Sequence, residues 1–244
     1  LLKGALVRSG NDACFALAEA VAGSEPLFVH WLNMPALVLG TWSACFRNTN
    51  GLPAEGHVIA AVDLARLAAR AMEEPFFAET VVSKYVELGK DGNYRFYRNT
   101  NRLLWQDGRV VGVKTGTTDE AGPCLVAALR DGDALYVSAV LNSADRYGAS
   151  LELLEHAAAA HRLLTLVRAG DPVACLDGEL LCAADTVSLL LPRDGGAELL
   201  LRWRLPHSLQ VLDGSGREVA ATALLPASSP AAGTARPATN YLPF

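Results

Sequence analysis

Three apolar runs of strand length follow one another at residues 110–114, 125–129 and 135–141, and they constrain the fold more than any other stretch. The last two are separated by Asp131-Gly132-Asp133, a turn signal, so they read as an antiparallel hairpin continuing the first strand. A sheet of this kind needs apolar cover on its faces. The neighbouring sequence offers it in four helical patterns. Residues 12–22 are rich in helix formers, with Asn11 or Asp12 as the N-cap and Gly23 as a stop. Residues 28–39 read as a second helix ending at Gly40. Residues 60–72 place Leu64, Leu67, Ala68 and Met72 on one face of a third, and residues 150–167 read as a long apolar helix. Between them, residues 81–88 and 94–97 read as strands set off by Asp91-Gly92 and Asp107-Gly108. Strands that pair while helices flank them predict an α+β fold.

Gly170-Asp171-Pro172 marks a boundary, because helical periodicity stops there. Strands follow at 187–191, 198–204, 209–212 and 218–224, divided by Asp194-Gly195-Gly196 and Asp213-Gly214-Ser215-Gly216. The expected domains are therefore 1–169 and a small all-β domain at 170–227. Residues 228–244, rich in Pro, Ala, Ser and Thr, are expected to be a disordered tail. With 51% hydrophobic content over 244 residues, such a chain buries a sizeable core.

A net charge of −5, with Lys and Arg scattered, argues against a nucleic-acid-binding face. No stretch reaches the roughly 18 apolar residues a membrane span requires, and neither a signal peptide nor an anchor is visible. Five cysteines at irregular spacing argue against a disulfide framework or a zinc site. Cys14, Cys45 and Cys124 lie among apolar residues and read as core. Cys175 and Cys182 flank Asp177-Gly178, whose two-residue turn pairs Cys175 with Leu180 and leaves Cys182 out of register. His156 and His161 are five apart, which does not put them on one helical face. His30, His57 and His207 are isolated, Asp63 reads as a solvated helix face, and Glu73-Glu74 as a helix end. No metal site and no cofactor is expected.

The chemistry concentrates in two short motifs, Ser9-Gly10-Asn11 and Lys114-Thr115-Gly116-Thr117. Acyl transfer from a peptide needs a nucleophilic hydroxyl, a base, an oxyanion hole and a grip on the substrate's charged end. A Lys-Thr-Gly on an edge strand offers an ammonium, a hydroxyl for a carboxylate, and a residue without a side chain where substrate backbone pairs with the strand. The Thr117 N–H just beyond is an oxyanion donor. Ser9 and Asn11, from a loop across the cleft, supply a proton relay and an amide.

The order of segments sharpens the reading. LLKGALVRSGNDACFALAEAVAGS, FVHWLN, FRNTNGLP, NTNRLLW and GVKTGTTDEAGPCLVAA resemble the serine-type D-alanyl-D-alanine carboxypeptidases, the low-molecular-mass penicillin-binding proteins of peptidase family S11. The resemblance runs from Leu1 to about Val167, and the β domain fits that family's small C-terminal domain. It implies a β-lactamase/transpeptidase-like domain, peptidoglycan pentapeptide stems as substrate, β-lactams as inhibitors, and an exported location, in the periplasm or at the outer face of the cytoplasmic membrane. Ser9, Asn11 and Lys114 would be catalytic. Lys114, Thr115, Gly116, Thr117 and Arg146 would bind substrate, Arg146 near the terminal carboxylate.

One family element is not present. No serine here has a lysine three residues on, so the acylated Ser-x-x-Lys is missing. The expectation is an N-terminally truncated enzyme, inactive alone, whose strands at 125–129 and 135–141 expose apolar faces. Two alternatives stand beside it, a β-lactamase-like hydrolase and a non-catalytic peptidoglycan-binding protein. Gly10 in place of the aspartate of Ser-Asp-Asn, and the β domain, disfavour the first.

Overall fold

The computed structural model describes residues 1–38, 40–90, 92–195, 198–204 and 208–227. The expectations for the tail 228–244, for His207, and for the turn residues Asp91 and Gly196 fall outside these. The chain divides into two compact units, Leu1–Ala157 and a second beginning at Ala158.

The first unit opens with a π-helical turn, Gly4–Arg8, and then runs through α1 (Asn11–Ala22), α2 (Glu25–Val38), α3 (Ala61–Ala71) and α4 (Pro75–Val82). A hairpin follows, β1 (Tyr85–Lys90) and β2 (Asn93–Arg98), then the single turn α5 (Leu103–Gln106). The central sheet is β3 (Val110–Thr118), β4 (Gly122–Asp131) and β5 (Ala134–Val140), and α6 (Arg146–Ala160) comes after it. The sheet order is β3-β4-β5, all antiparallel, with Lys114 opposite Val126 and Leu125 opposite Val140. The α+β expectation holds for this unit.

The expected exposure of the β4 and β5 faces is not found. Leu125 is 1% exposed and Leu129 0%. Side chains alternate along a strand, so Val126 and Ala128 share one face, where they cluster with Ala68 and Met72 of α3 and its cap and with Val81 of α4. Ala127 lies opposite Ser138 on the other face, and there Ser138 Oγ donates to Ser150 O of α6 at 3.4 Å. Both faces thus find cover within this chain. Large exposed apolar side chains include Leu27, Trp31 and Met34, which follow a helical stripe on α2, and Trp42 and Phe96, each 75% exposed. Gly112 is required by this packing, because a Cβ there would sit 2.8 Å from Val81 Cγ2.

Three further expectations are corrected. Residues 81–88 are not one strand: Pro75 opens α4, which ends at Val82 before β1 begins. Pro at the first helical position is favourable, and it overrides the β-branched Val81-Val82 pair. The helix expected over 150–167 starts earlier, at Arg146, and stops at Ala160. His161–Val167 is strand β6, drawn into a pair with β9 (Val187–Pro192), so His156 and His161 do not share a helix. Asp63 is buried rather than solvated, 3% exposed. Its carboxylate accepts from Ser43 N (2.9 Å), Ser43 Oγ (2.7 Å) and Arg66 Nη1 (2.9 Å).

Among its described residues, the regular elements of the second unit are strands apart from the last turn of α6. Beside the β6–β9 pair, five strands form a sheet of order β10-β11-β12-β8-β7: β7 (Pro172–Leu176), β8 (Glu179–Ala183), β10 (Leu199–Arg204), β11 (Ser208–Asp213) and β12 (Glu218–Pro226). Asp177 and Gly178 have φ of 52° and 84°, so both central residues of the β7–β8 turn are left-handed, as a primed hairpin turn requires. Cys175 faces Leu180 and Cys182 faces Pro172, so the two thiols stay apart and free. The core is apolar, centred on Ala183, Val187, Leu189 and Val211.

Candidate active site

β3 is the end strand of its sheet, so among the described residues one of its edges has no strand partner. Lys114 and Thr115 lie opposite Val126 and Leu125 and so take opposite faces of it. Gly116 follows, with no atom within 4 Å of the place a Cβ would take. No side chain therefore crowds the face of the strand at Gly116.

Ser9 reaches this edge from the far end of the sequence. The π-helical turn closes at Ser9 with φ 62° and ψ 44°, a left-handed conformation that costs a non-glycine residue about 1–3 kcal/mol. It bends the chain into α1, and Ser9 Oγ accepts from Lys114 Nζ at 2.8 Å. The ammonium also donates to Thr115 O at 2.6 Å. The N-cap of α1 is Gly10, not Asn11 or Asp12; Asp12 Oδ1 instead accepts from the adjacent Ala13 N at 2.9 Å. Asn11, the first helical residue, is exposed, and its amide has no hydrogen bond among the described residues.

Burial is the main reason that the Lys114 ammonium titrates at about 8 rather than 10.5; the Cys14 thiol opposes the shift and the Arg146 guanidinium adds to it. Cys14, read from sequence as core, is half-buried beside this lysine. Its own pKa is raised by burial, with Lys114 pulling it down and Asp12 pushing it up.

Arg146, the first residue of α6, approaches the same strand. Its Nη1 donates to Gly116 O (2.8 Å), Thr117 Oγ1 (2.8 Å) and Cys124 O (3.2 Å). Thr117 Oγ1 also donates to Gly116 O at 2.7 Å. Thr115 is 8% exposed, and its Oγ1 donates to Thr100 Oγ1 at 2.6 Å. A cavity of about 490 Å³ opens past the end of β3, between the loop carrying Leu52, Glu55 and His57 and the turn carrying Thr118 and Glu120. Burial, then Arg47, pushes the His57 pKa down, and its ring packs edge-on to Phe46.

The structure therefore gathers Ser9, Lys114, Thr115, Gly116, Thr117 and Arg146, and leaves the Asn11 amide beside Ser9 without a hydrogen bond among the described residues. The sequence did not single out Thr100 and Tyr147 for this cluster. Their links run across 15 and 47 residues, beyond any local pattern.

Residues 1–145 match the sequence profile of peptidase family S11, D-alanyl-D-alanine carboxypeptidase. The chain belongs to this family. It is 38% identical over 148 residues to the D-alanyl-D-alanine carboxypeptidase DacC of Escherichia coli, covering 59% of this chain and 35% of that protein. It is 36% identical over 144 residues to DacF of Bacillus subtilis, covering 59% and 37%. The chain thus spans about a third of the length of these relatives. Among solved structures it resembles penicillin binding protein 6B from Escherichia coli, with a TM-score of 0.67, 27% identity, and 92% of this chain and 67% of that one covered. Penicillin binding protein 5 from Haemophilus influenzae gives a TM-score of 0.71 at 24% identity, covering 92% and 72%, and supports the fold.

Proposed function

We propose that these residues form the substrate-binding and proton-relay half of a serine-type D-alanyl-D-alanine carboxypeptidase site, which releases the terminal D-alanine of peptidoglycan stem peptides through an acyl-enzyme. The observation that carries the reading is the 2.8 Å hydrogen bond from Lys114 Nζ to Ser9 Oγ beside the open edge at Gly116. A lysine titrating at about 8 exchanges a proton near neutral pH, which a lysine at its ordinary value does poorly. In this reading Lys114 and Ser9 pass a proton to the departing amine. The substrate backbone lies along Gly116, Asn11 grips its amide, and Thr117 N–H serves the oxyanion. The terminal carboxylate lies among Lys114, Thr115, Thr117 and Arg146, while the residues preceding D-Ala-D-Ala run toward the cavity at Thr118. β-Lactams would occupy the same edge. Family membership supports an exported, periplasmic setting, and no helix among the described residues is long and apolar enough to cross a membrane.

The 244 residues contain no Ser-x-x-Lys, which favours a second role for this chain by itself, binding stems without cleaving them. The two parts of the reading are tested together. Fluorescent penicillin is expected to leave no label that survives denaturation, while N-acetyl-D-Ala-D-Ala binds and Lys114→Ala weakens it tenfold or more. In a chain that also carries a family Ser-x-x-Lys segment, Lys114→Ala should slow acylation on the order of a hundredfold. Label mapped to any residue here overturns the division of labour, and peptide binding indifferent to Lys114 overturns the site.

A further inference from the structure

The anion-binding end of the site joins side chains from two elements, Thr115 and Thr117 on β3 and Arg146 on α6, and something must hold them in one geometry. Nη1 of Arg146 is already committed to three acceptors on β3 and β4. Its Nη2 donates to Tyr147 Oη at 3.4 Å, and Tyr147 Oη in turn donates to Thr100 O at 3.2 Å. Thr100 Oγ1 accepts from Thr115 Oγ1 at 2.6 Å. One residue, Thr100, therefore touches both branches of the anion site, by its carbonyl and by its hydroxyl.

Thr100 is itself fixed. Asn99, 4% exposed, donates through Nδ2 to Val81 O (3.1 Å) and Ser83 O (3.0 Å), and its Oδ1 accepts from Asn101 N (2.9 Å). Asn101, 0% exposed, donates to Gly112 O (2.9 Å) and accepts from Leu103 N (3.1 Å). Buried amides satisfied in this way lock a loop against the strand it serves. The Tyr147 ring is packed as well, with the guanidinium carbons of Arg146 and Arg102 at 5.1 and 5.8 Å from its centre.

We propose that Thr100 and Tyr147 are positioning residues that set the geometry in which Thr115 and Arg146 receive the C-terminal carboxylate of a D-amino-acid peptide. The inference rests on the functional reading above. Neither residue touches the ligand in it. Tyr147 takes one Nη2 hydrogen and so fixes the plane of the guanidinium, leaving the second Nη2 hydrogen and Nε as the donors for the carboxylate. Either partner of a hydroxyl pair can donate. When the anion arrives the Thr100–Thr115 pair reverses: Thr100 donates to Thr115, and Thr115 donates to the carboxylate. A donor held in place by supporting hydrogen bonds is worth more than one that must be ordered on binding.

The test titrates the 244-residue chain with N-acetyl-D-Ala-D-Ala and with its C-terminal carboxamide, by calorimetry or amide NMR shifts. The native chain is expected to prefer the carboxylate. Tyr147→Phe and Thr100→Val, which remove one hydroxyl each, should weaken the carboxylate peptide by about five- to tenfold, the effect of one net hydrogen bond. The carboxamide should bind each variant as it binds the native chain, which also reports that the site is folded. Thr100→Ser should restore the preference, and that pair carries the test if Tyr147→Phe does not fold. Unchanged carboxylate affinity, or equal losses for both peptides, overturns the positioning role. A native chain with no carboxylate preference overturns the functional reading, and the inference with it.

Discussion

The two units of this chain solve the same problem, burying apolar strands, with opposite consequences for chemistry. In the second unit the strands cover one another, and the buried set around Val187, Leu189 and Val211 is almost free of ionisable groups. In the first, helices cover both faces of the β3-β4-β5 sheet, and the edge of β3 is left to polar residues from the distant Ser9 and Arg146. Cys14, His57 and Lys114, whose pKa values are moved chiefly by burial, all belong to the first unit. The shift at Asp213 in the second comes first from hydrogen bonds within an exposed turn. An ionisable group pushed off its ordinary pKa by burial is a cost to the fold, and such costs gather where a site uses them.

The comparison is broken most forcefully through the cores. Leu129→Ala should destabilise the first unit by about 2–5 kcal/mol and Leu189→Ala the second by a similar amount. Calorimetry of the whole chain should show each substitution moving one transition only. Both transitions moving together under either substitution would show the units to be a single cooperative body.

Lys114 sharpens the contrast, because it separates function from stability. Its folded pKa of about 8 lies below the unfolded value near 10.5, so between those pH values the unfolded chain binds more protons and stability rises with pH. Below pH 8 the full penalty is present, about 3 kcal/mol at 1.36 kcal/mol for each pH unit of separation. Lys114→Met should therefore be more stable than the native chain at pH 7, with the gap closing toward pH 10.5. Denaturant titrations of both across that range check it. A variant less stable at pH 7 would mean that the ammonium supports the fold. The same titration predicts that carboxylate-peptide affinity falls as pH rises through about 8.

Asp63 tests whether every buried charge in the first unit belongs to the site. Hydrogen bonds from the Ser43 hydroxyl and amide, more than Arg66, hold its carboxyl below the usual range. That contribution is present above the unfolded carboxyl pKa and is lost as pH falls through the lower folded value. Asp63→Asn should lower the melting temperature at neutral pH by more than it does at pH 3, and leave peptide binding intact. Equal effects at both pH values would assign the clasp to packing rather than charge. The smallest effect belongs to the second unit: Cys175→Thr, at an exposed position of β7, should change stability by no more than about 0.5 kcal/mol.

What was legible in the sequence was local. Alternating apolar runs placed β4, β5, β9 and β11, helix formers placed α1 and α3, and Asp177-Gly178 set the register that keeps Cys175 from Cys182. Turn chemistry and periodicity act within a few residues, so they survive reading one residue at a time. The motifs themselves, Ser9-Gly10-Asn11 and Lys114-Thr115-Gly116-Thr117, were visible for the same reason.

Tertiary structure decided the rest. His161–Val167 carries enough apolar content for a helix, yet pairing with Val187–Pro192 makes it a strand. The burial of Asp63 depends on Ser43, 20 residues away, and the Ser138 face of the sheet meets α6 only where the chain returns to it at Ser150. Lys114 meets Ser9 across 105 positions, and burial there moves its pKa to about 8. Desolvation and hydrogen-bond partners are properties of the space around a group, and the chain order does not contain that space until the sheet has closed around it.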